Sequence, residues 1–152
     1  MDKDESIRFA TKFTEDLLSF FGINVAVYST IEDDVIQLSV PSTSMNSLLI
    51  GKNADNLRAL QYIVSNALSA KSAEFTRVSV DIADYKRQRA DRIAERAEDW
   101  INKVRSTGES MTLDLNPADR RVVHKVAGDY SDISTHSEGE GKERKLIISK
   151  IA

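Results

Sequence analysis

With 152 residues, 41% of them hydrophobic, and a formal net charge of -3, the chain can bury one good core or two small ones and has nothing of a disordered composition. The absence of cysteine excludes disulfides, thiolate metal sites and cysteine nucleophiles. An acidic, polar start (Met1-Asp2-Lys3-Asp4-Glu5) and the lack of a long apolar run speak against a secretory leader or membrane insertion and for a cytoplasmic protein. The charge is unevenly spread: residues 1–50 hold three basic and eight acidic side chains, residues 51–92 eight basic and five acidic. A local basic surface on an acidic body is the expected consequence.

Residues 3–21 place Ile7, Ala10, Phe13, Leu17, Leu18 and Phe21 on one helical stripe, with Gly22 where such a helix stops. Ile23 to Ser29 and Val35 to Val40 are β-branched and alternating, and Glu32-Asp33-Asp34 between them predicts a hairpin. A short helix from Asn46 to Ile50, a turn at Gly51, and a longer helix from Asp55 to Ala70, with Asp55 as its cap, come next. Phe75 to Ile82 alternates as a third strand. Asp84 is placed to cap a helix running to about Ser106, with Ile93, Ala97, Trp100, Ile101 and Val104 inward and Lys86, Arg87, Arg89, Arg92 and Arg96 among its polar positions. A short strand at 110–113, a helix opened by Asn116 and Pro117, and strands at 132–136 and 144–151 around the flexible Ser137-Glu138-Gly139-Glu140-Gly141 loop complete the chain. The organisation is α+β, in two modules of residues 1–82 and 83–152 packed through the long connecting helix.

Two constellations carry chemistry. At Gly51-Lys52-Asn53-Ala54, a glycine gives the backbone freedom that other residues lack, and the N–H groups opening the next helix attract anions. Lys52 adds a charge, Asn53 a donor, and Arg58 lies one turn into that helix. The same residues serve equally well as an ordinary helix–turn–helix corner. About sixty residues on, Arg120 and His124 lie one helical turn apart, and helical geometry sets Arg120, Arg121, His124 and Lys125 opposite Val122 and Val126 as a solvated basic stripe. The plain alternative is a routine solvated helix face. His136 ends a strand and has no chemical role, the two histidines form no metal-ligand set, and Tyr62 reads as core rather than as a base-stacking platform.

The order helix-strand-strand-helix-helix-strand with Ile50-Gly51-Lys52-Asn53-Ala54 between its middle helices resembles a type II K-homology (KH) domain, whose I-G-x-x-G loop clamps about four nucleotides. Ala54 stands where that family has its second glycine. Asn116-Pro117-Ala118-Asp119-Arg120-Arg121-Val122-Val123-His124, with the glycine loop and terminal strand after it, resembles the single-stranded nucleic-acid-binding R-x-x-x-H domain. Their tandem is similar to the Jag, or SpoIIIJ-associated, family over nearly the whole chain, without the N-terminal Jag domain often found ahead of it.

The resemblance implies a non-catalytic RNA-binding protein that grips single-stranded RNA, or chemically similar single-stranded DNA, through Gly51, Lys52, Asn53, Ala54, Arg58, Arg120, Arg121 and His124, with no cofactor and no metal. It further implies post-transcriptional regulation tied to cell elongation, division and wall organisation, and pairing with a small KH protein or a second copy. The alternative is a protein-interaction adaptor with a degenerate KH loop, which Ala54 and the acidic first half favour.

Overall fold

The computed structural model describes residues 1–151 as two compact units, Met1–Lys86 and a second beginning at Arg87. The first unit opens with α1 (Lys3–Ser19), started by a capping box in which Asp2 accepts from the Glu5 N–H while the Glu5 side chain accepts from the Asp2 N–H. Two strands follow, β1 (Tyr28–Glu32) and β2 (Val35–Val40), paired antiparallel from Tyr28↔Ser39 to Glu32↔Val35. Asp33 and Asp34 both take left-handed conformations (φ 51° and 62°), as a two-residue hairpin with the right-handed strand twist requires. The first strand begins later than its alternation predicts. Ile23 and Val27 alternate into the core as expected of an extended chain, but the Val27 N–H donates to the Glu15 carboxylate instead of a neighbouring strand.

After β2 come α2 (Asn46–Ile50), a 3₁₀ turn at Lys52–Ala54, α3 (Asp55–Ala70) and β3 (Val78–Ile82). β3 lies parallel to β2, giving the sheet order β1-β2-β3. Ile36, Leu38 and Val40 of β2 and Val78, Val80 and Ile82 of β3 point to one face, where they close a core with Ala10 and Leu18 of α1 and Leu57, Leu60, Val64 and Leu68 of α3. A two-residue strand period meets a helical period here, and the shared apolar face fixes the register.

In the second unit α4 (Tyr85–Thr107), whose first two residues belong to the first unit, presents Ile93, Ala97, Ile101 and Val104 inward. In its first turn the Lys86 N–H donates to Asp81 Oδ1 at 3.1 Å, while Ala83 and Asp84 before it are left-handed. β4 (Met111–Leu113), α5 (Pro117–Ala127), β5 (Ile133–Glu138) and β6 (Lys145–Lys150) follow, and the three strands form an antiparallel sheet of order β4-β6-β5. Val123 and Ala127 of α5, Ile133 of β5, and Leu146 and Ile148 of β6 close the second core against α4.

Candidate nucleic-acid interface

Each unit holds one of the two constellations. α2 ends at Gly51, whose N–H donates to the Ser47 carbonyl at 2.9 Å and whose φ of 75° lies in the left-handed half of the map. A Cβ there would meet the Asn56 side chain at 2.8 Å and its backbone nitrogen at 2.9 Å, so conformation and space both demand glycine. Asn56 uses the closeness by donating its amide to the Leu48 carbonyl at 2.7 Å, tying the start of α3 to α2.

Beyond Gly51 the chain turns through Lys52 and two left-handed residues, Asn53 (φ 54°, ψ 30°) and Ala54 (φ 60°, ψ 26°), before α3 begins. Lys52 and Asn53 are exposed, and among the described residues no acceptor takes their N–H groups. Two free donors in the turn that leads into a sixteen-residue helix make an anion-attracting corner. The expected Asp55 cap is absent: the residue before α3, Ala54, has no polar side chain to offer, and Asp55 pairs instead with Arg58, partly cancelling that residue's charge. Ala54 keeps the turn without a second glycine, and at 8% exposure it packs into the core rather than facing solvent.

The second constellation forms a seam between α5 and β5. Asn116 Oδ1 accepts from the Asp119 N–H at 2.8 Å and Pro117 takes the first turn, as their order in the sequence predicts. Buried Asp119 accepts from Arg89 Nη2 at 2.8 Å, fastening that turn to α4. The expectation that Arg120, Arg121, His124 and Lys125 share one solvated face is corrected. Val123 is fully buried and centres the inward face, so Arg120 and His124 fall on its flank, half-buried, while Arg121 and Lys125 lie exposed on the far side. Arg120 Nη1 donates to the Leu115 carbonyl at 2.7 Å.

His124 is held from both sides. Its Nδ1 lies 2.6 Å from Thr135 Oγ1 and its Nε2 3.3 Å from Ser137 Oγ, hydroxyls two residues apart on one face of β5. Burial first, then the neighbouring Arg120, Arg144 and His136 side chains, lower the imidazole below its ordinary value of 6.5. At neutral pH a ring so shifted is mostly uncharged and offers hydrogen bonding rather than charge, with Arg120 and Arg144 in its neighbourhood. Sequence reasoning missed Thr135 and Arg144; the period-two alternation of β5 was the available signal for Thr135, and nothing local marked Arg144. His136 sits inside β5 rather than at its end, 2.9 Å from Glu138 Oε1. Tyr62, expected in the core, is 68% exposed on the outer face of α3.

The two units differ in charge. The first carries eight basic and twelve acidic side chains, the second thirteen basic and twelve acidic. Among the described residues, Arg120, Arg121, Arg144 and Lys52 are in no ion pair, no cluster of His, Asp or Glu could hold a metal ion, and no helix is long and apolar enough to cross a membrane.

Residues 91–150 match the family model of the R-three-H domain, named for the Arg-x-x-x-His spacing. The chain is 30% identical over 145 residues to the "RNA-binding protein KhpB" of Clostridium symbiosum, an alignment covering 92% of this chain and 64% of that protein. It is 32% identical over 106 residues to the protein of the same name from Bacillus subtilis (68% and 51% covered) and 29% identical over 108 residues to that of Lactiplantibacillus plantarum (70% and 34%). The chain thus spans less than two thirds of the length of these relatives.

Proposed function

Residues 91–150 constitute an R-three-H domain, and from that premise we propose that the chain is a non-catalytic RNA-binding protein that holds single-stranded RNA at the Arg120/His124 seam and at the Gly51 loop. The observation that carries the reading is a half-buried arginine and a half-buried histidine side by side, backed by hydroxyls and unopposed by any carboxylate among the described residues. Such a pair offers a polynucleotide charge from Arg120 and hydrogen bonding or stacking from His124, while exposed Arg121 adds a less oriented charge. The name borne by the relatives supports RNA as the ligand.

We assign residues 1–82 to a type II KH domain and 83–152 to the R-three-H module. The KH assignment is supported by the helix-strand-strand-helix-helix-strand order, the parallel return of β3 beside β2, and the free Lys52 and Asn53 donors between the middle helices. Ala54 is buried in the core of the first unit, so it adds little bulk to the exposed side of the loop. A cytoplasmic regulator acting on transcripts for cell elongation, division or wall organisation is the cellular role consistent with this.

The experiment is fluorescence anisotropy with unstructured short RNAs, comparing wild type with Lys52→Asp/Asn53→Asp and with Arg120→Ala/His124→Ala. Each variant is expected to weaken binding by roughly tenfold, the cost of one or two charge-assisted contacts. Unchanged affinity in both overturns the assignment. A second reading, an adaptor that pairs with a KH protein, is favoured by the outer face of α3, where Ala59, Tyr62, Ile63, Asn66 and Ala70 are uncharged in a chain of 30% charged residues and Tyr62 and Ile63 are exposed. Ultraviolet crosslinking in cells separates the readings: recovered RNA supports the first, a protein partner alone the second.

A further inference from the structure

Arg144 lies outside the R-x-x-x-H helix, just after the loop joining β5 to β6. Ser137 pairs with Leu146 and Glu138 with Lys145, so the hairpin narrows to residues 139–144. Its closure depends on Gly139 (φ 91°), where a Cβ would meet the Glu143 carbonyl oxygen at 3.1 Å and Arg144 Cα at 3.3 Å. Arg144 folds back over this mouth and donates Nη1 to the Gly139 carbonyl at 2.7 Å. Its guanidinium is thereby fixed one residue beyond the Glu138–Lys145 pair, at the end of the strand face that carries Thr135 and Ser137.

The same device holds Arg120, through the Leu115 carbonyl. A carbonyl orients a guanidinium without cancelling its charge, and each arginine keeps most of its five donors. The chain has 24 acidic side chains, yet among the described residues none reaches either arginine. The acidic residues that adjoin Arg144 in the hairpin are otherwise placed: Glu138 accepts from His136, and Glu140 and Glu143 are exposed in the loop with no ion pair among the described residues. Both arginines are also close enough to depress the His124 proton affinity. Two fixed, unneutralised cations beside a neutral imidazole form a cradle for an oxyanion.

We infer that Arg144 is a third phosphate-binding residue of this seam, completing with Arg120 and His124 a site for a phosphodiester oxygen of single-stranded nucleic acid. Thr135, at 2.6 Å, is the positioning residue that holds the ring, and Ser137, at 3.3 Å, is the hydroxyl that the ligand displaces from Nε2. The inference rests on the nucleic-acid reading given above.

The test is a salt titration of binding to a fluorescent, unstructured oligoribonucleotide for wild type, Arg144→Gln, Arg144→Lys and Lys145→Gln, the last removing an equal charge from a side chain already paired with Asp114. Loss of one phosphate contact flattens the slope of log affinity against log salt by about 0.7 for a single strand. Arg144→Gln is expected to lose about tenfold in affinity and that much slope. Arg144→Lys restores the slope, which separates lost charge from a loosened hairpin, and Lys145→Gln stays within about twofold of wild type. In parallel, Thr135→Val raises Kd and shifts the His124 titration followed by NMR. Wild-type binding with an unaltered Arg144→Gln slope, or equal losses at 144 and 145, overturns the inference and leaves the broader reading standing; a wild-type protein that binds no RNA overturns both.

Discussion

At the scale of single residues, His124 is where sequence and structure say different things. Its spacing from Arg120 is legible in the chain, but its charge state is not, because that depends on burial first and then on Arg120, Arg144 and His136, brought to it by folding. A base whose folded pKa lies below its unfolded value binds protons more readily when unfolded, so the second unit loses stability as pH falls through about 6.5 toward the lowered folded value. A bound phosphate acts in the opposite sense, since it favours the imidazolium, and RNA affinity therefore rises as pH falls over that window. Anisotropy at about pH 5.5 and pH 7.5 checks this: wild type binds more tightly at the lower pH and His124→Gln shows no such gain. A gain that survives in His124→Gln assigns the proton to another group. Ala54 teaches the converse lesson. A methyl group in a glycine position looks obstructive in the sequence, but the structure turns it into the core, and only the fold reveals its direction.

At the scale of elements, helices were the most legible features, because α2 and α3 keep the expected bounds and α5 begins with its expected Asn116 cap and Pro117. Apolar periodicity and capping chemistry are local, so they survive without knowledge of neighbours. Strand ends were less legible: β1 and β3 begin several residues late because Val27 and Thr76 spend backbone groups on the side chains of Glu15 and Ser65. Pairing is decided by partners that lie far away in the chain. The α5 stripe was misjudged for a related reason. Helical geometry ranks residues around the axis, but how far the flanks are covered depends on β5. The Gly51 turn gives the sharpest element-level prediction. Gly51→Ala combines a left-handed conformation with a clash against the Asn56 backbone, which cannot rotate away, and is expected to destabilise the first unit by about 2 kcal/mol. Urea unfolding measures it, and a midpoint equal to that of wild type contradicts the geometry described for the α2–α3 corner.

At the scale of the whole molecule, the excess of acidic over basic groups argues against a protein that coats nucleic acid by bulk charge, and the structure answers with a few cations left without carboxylate partners among the described residues. Lys52 and its loop lie in the more acidic unit, while Arg120, Arg121, His124 and Arg144 lie in the unit with a slight basic excess. On the proposed reading, the second unit is expected to supply the larger electrostatic share. The charge counts along the sequence placed the basic surface from Gly51 to residue 92, a stretch that the two units divide between them, and the absence of neutralising partners required coordinates, because ion pairing follows from folding and not from composition. Contacts to only a few phosphates give a shallow salt dependence, with each contact contributing about 0.7 to the slope for a single strand. The most direct measurement is the affinity of the full chain for an unstructured RNA and for the same RNA in a duplex, across a range of salt. Tighter binding of the single strand, with a slope of about -2 to -3, is the predicted result. Equal affinity for the two forms, or binding indifferent to salt, contradicts it.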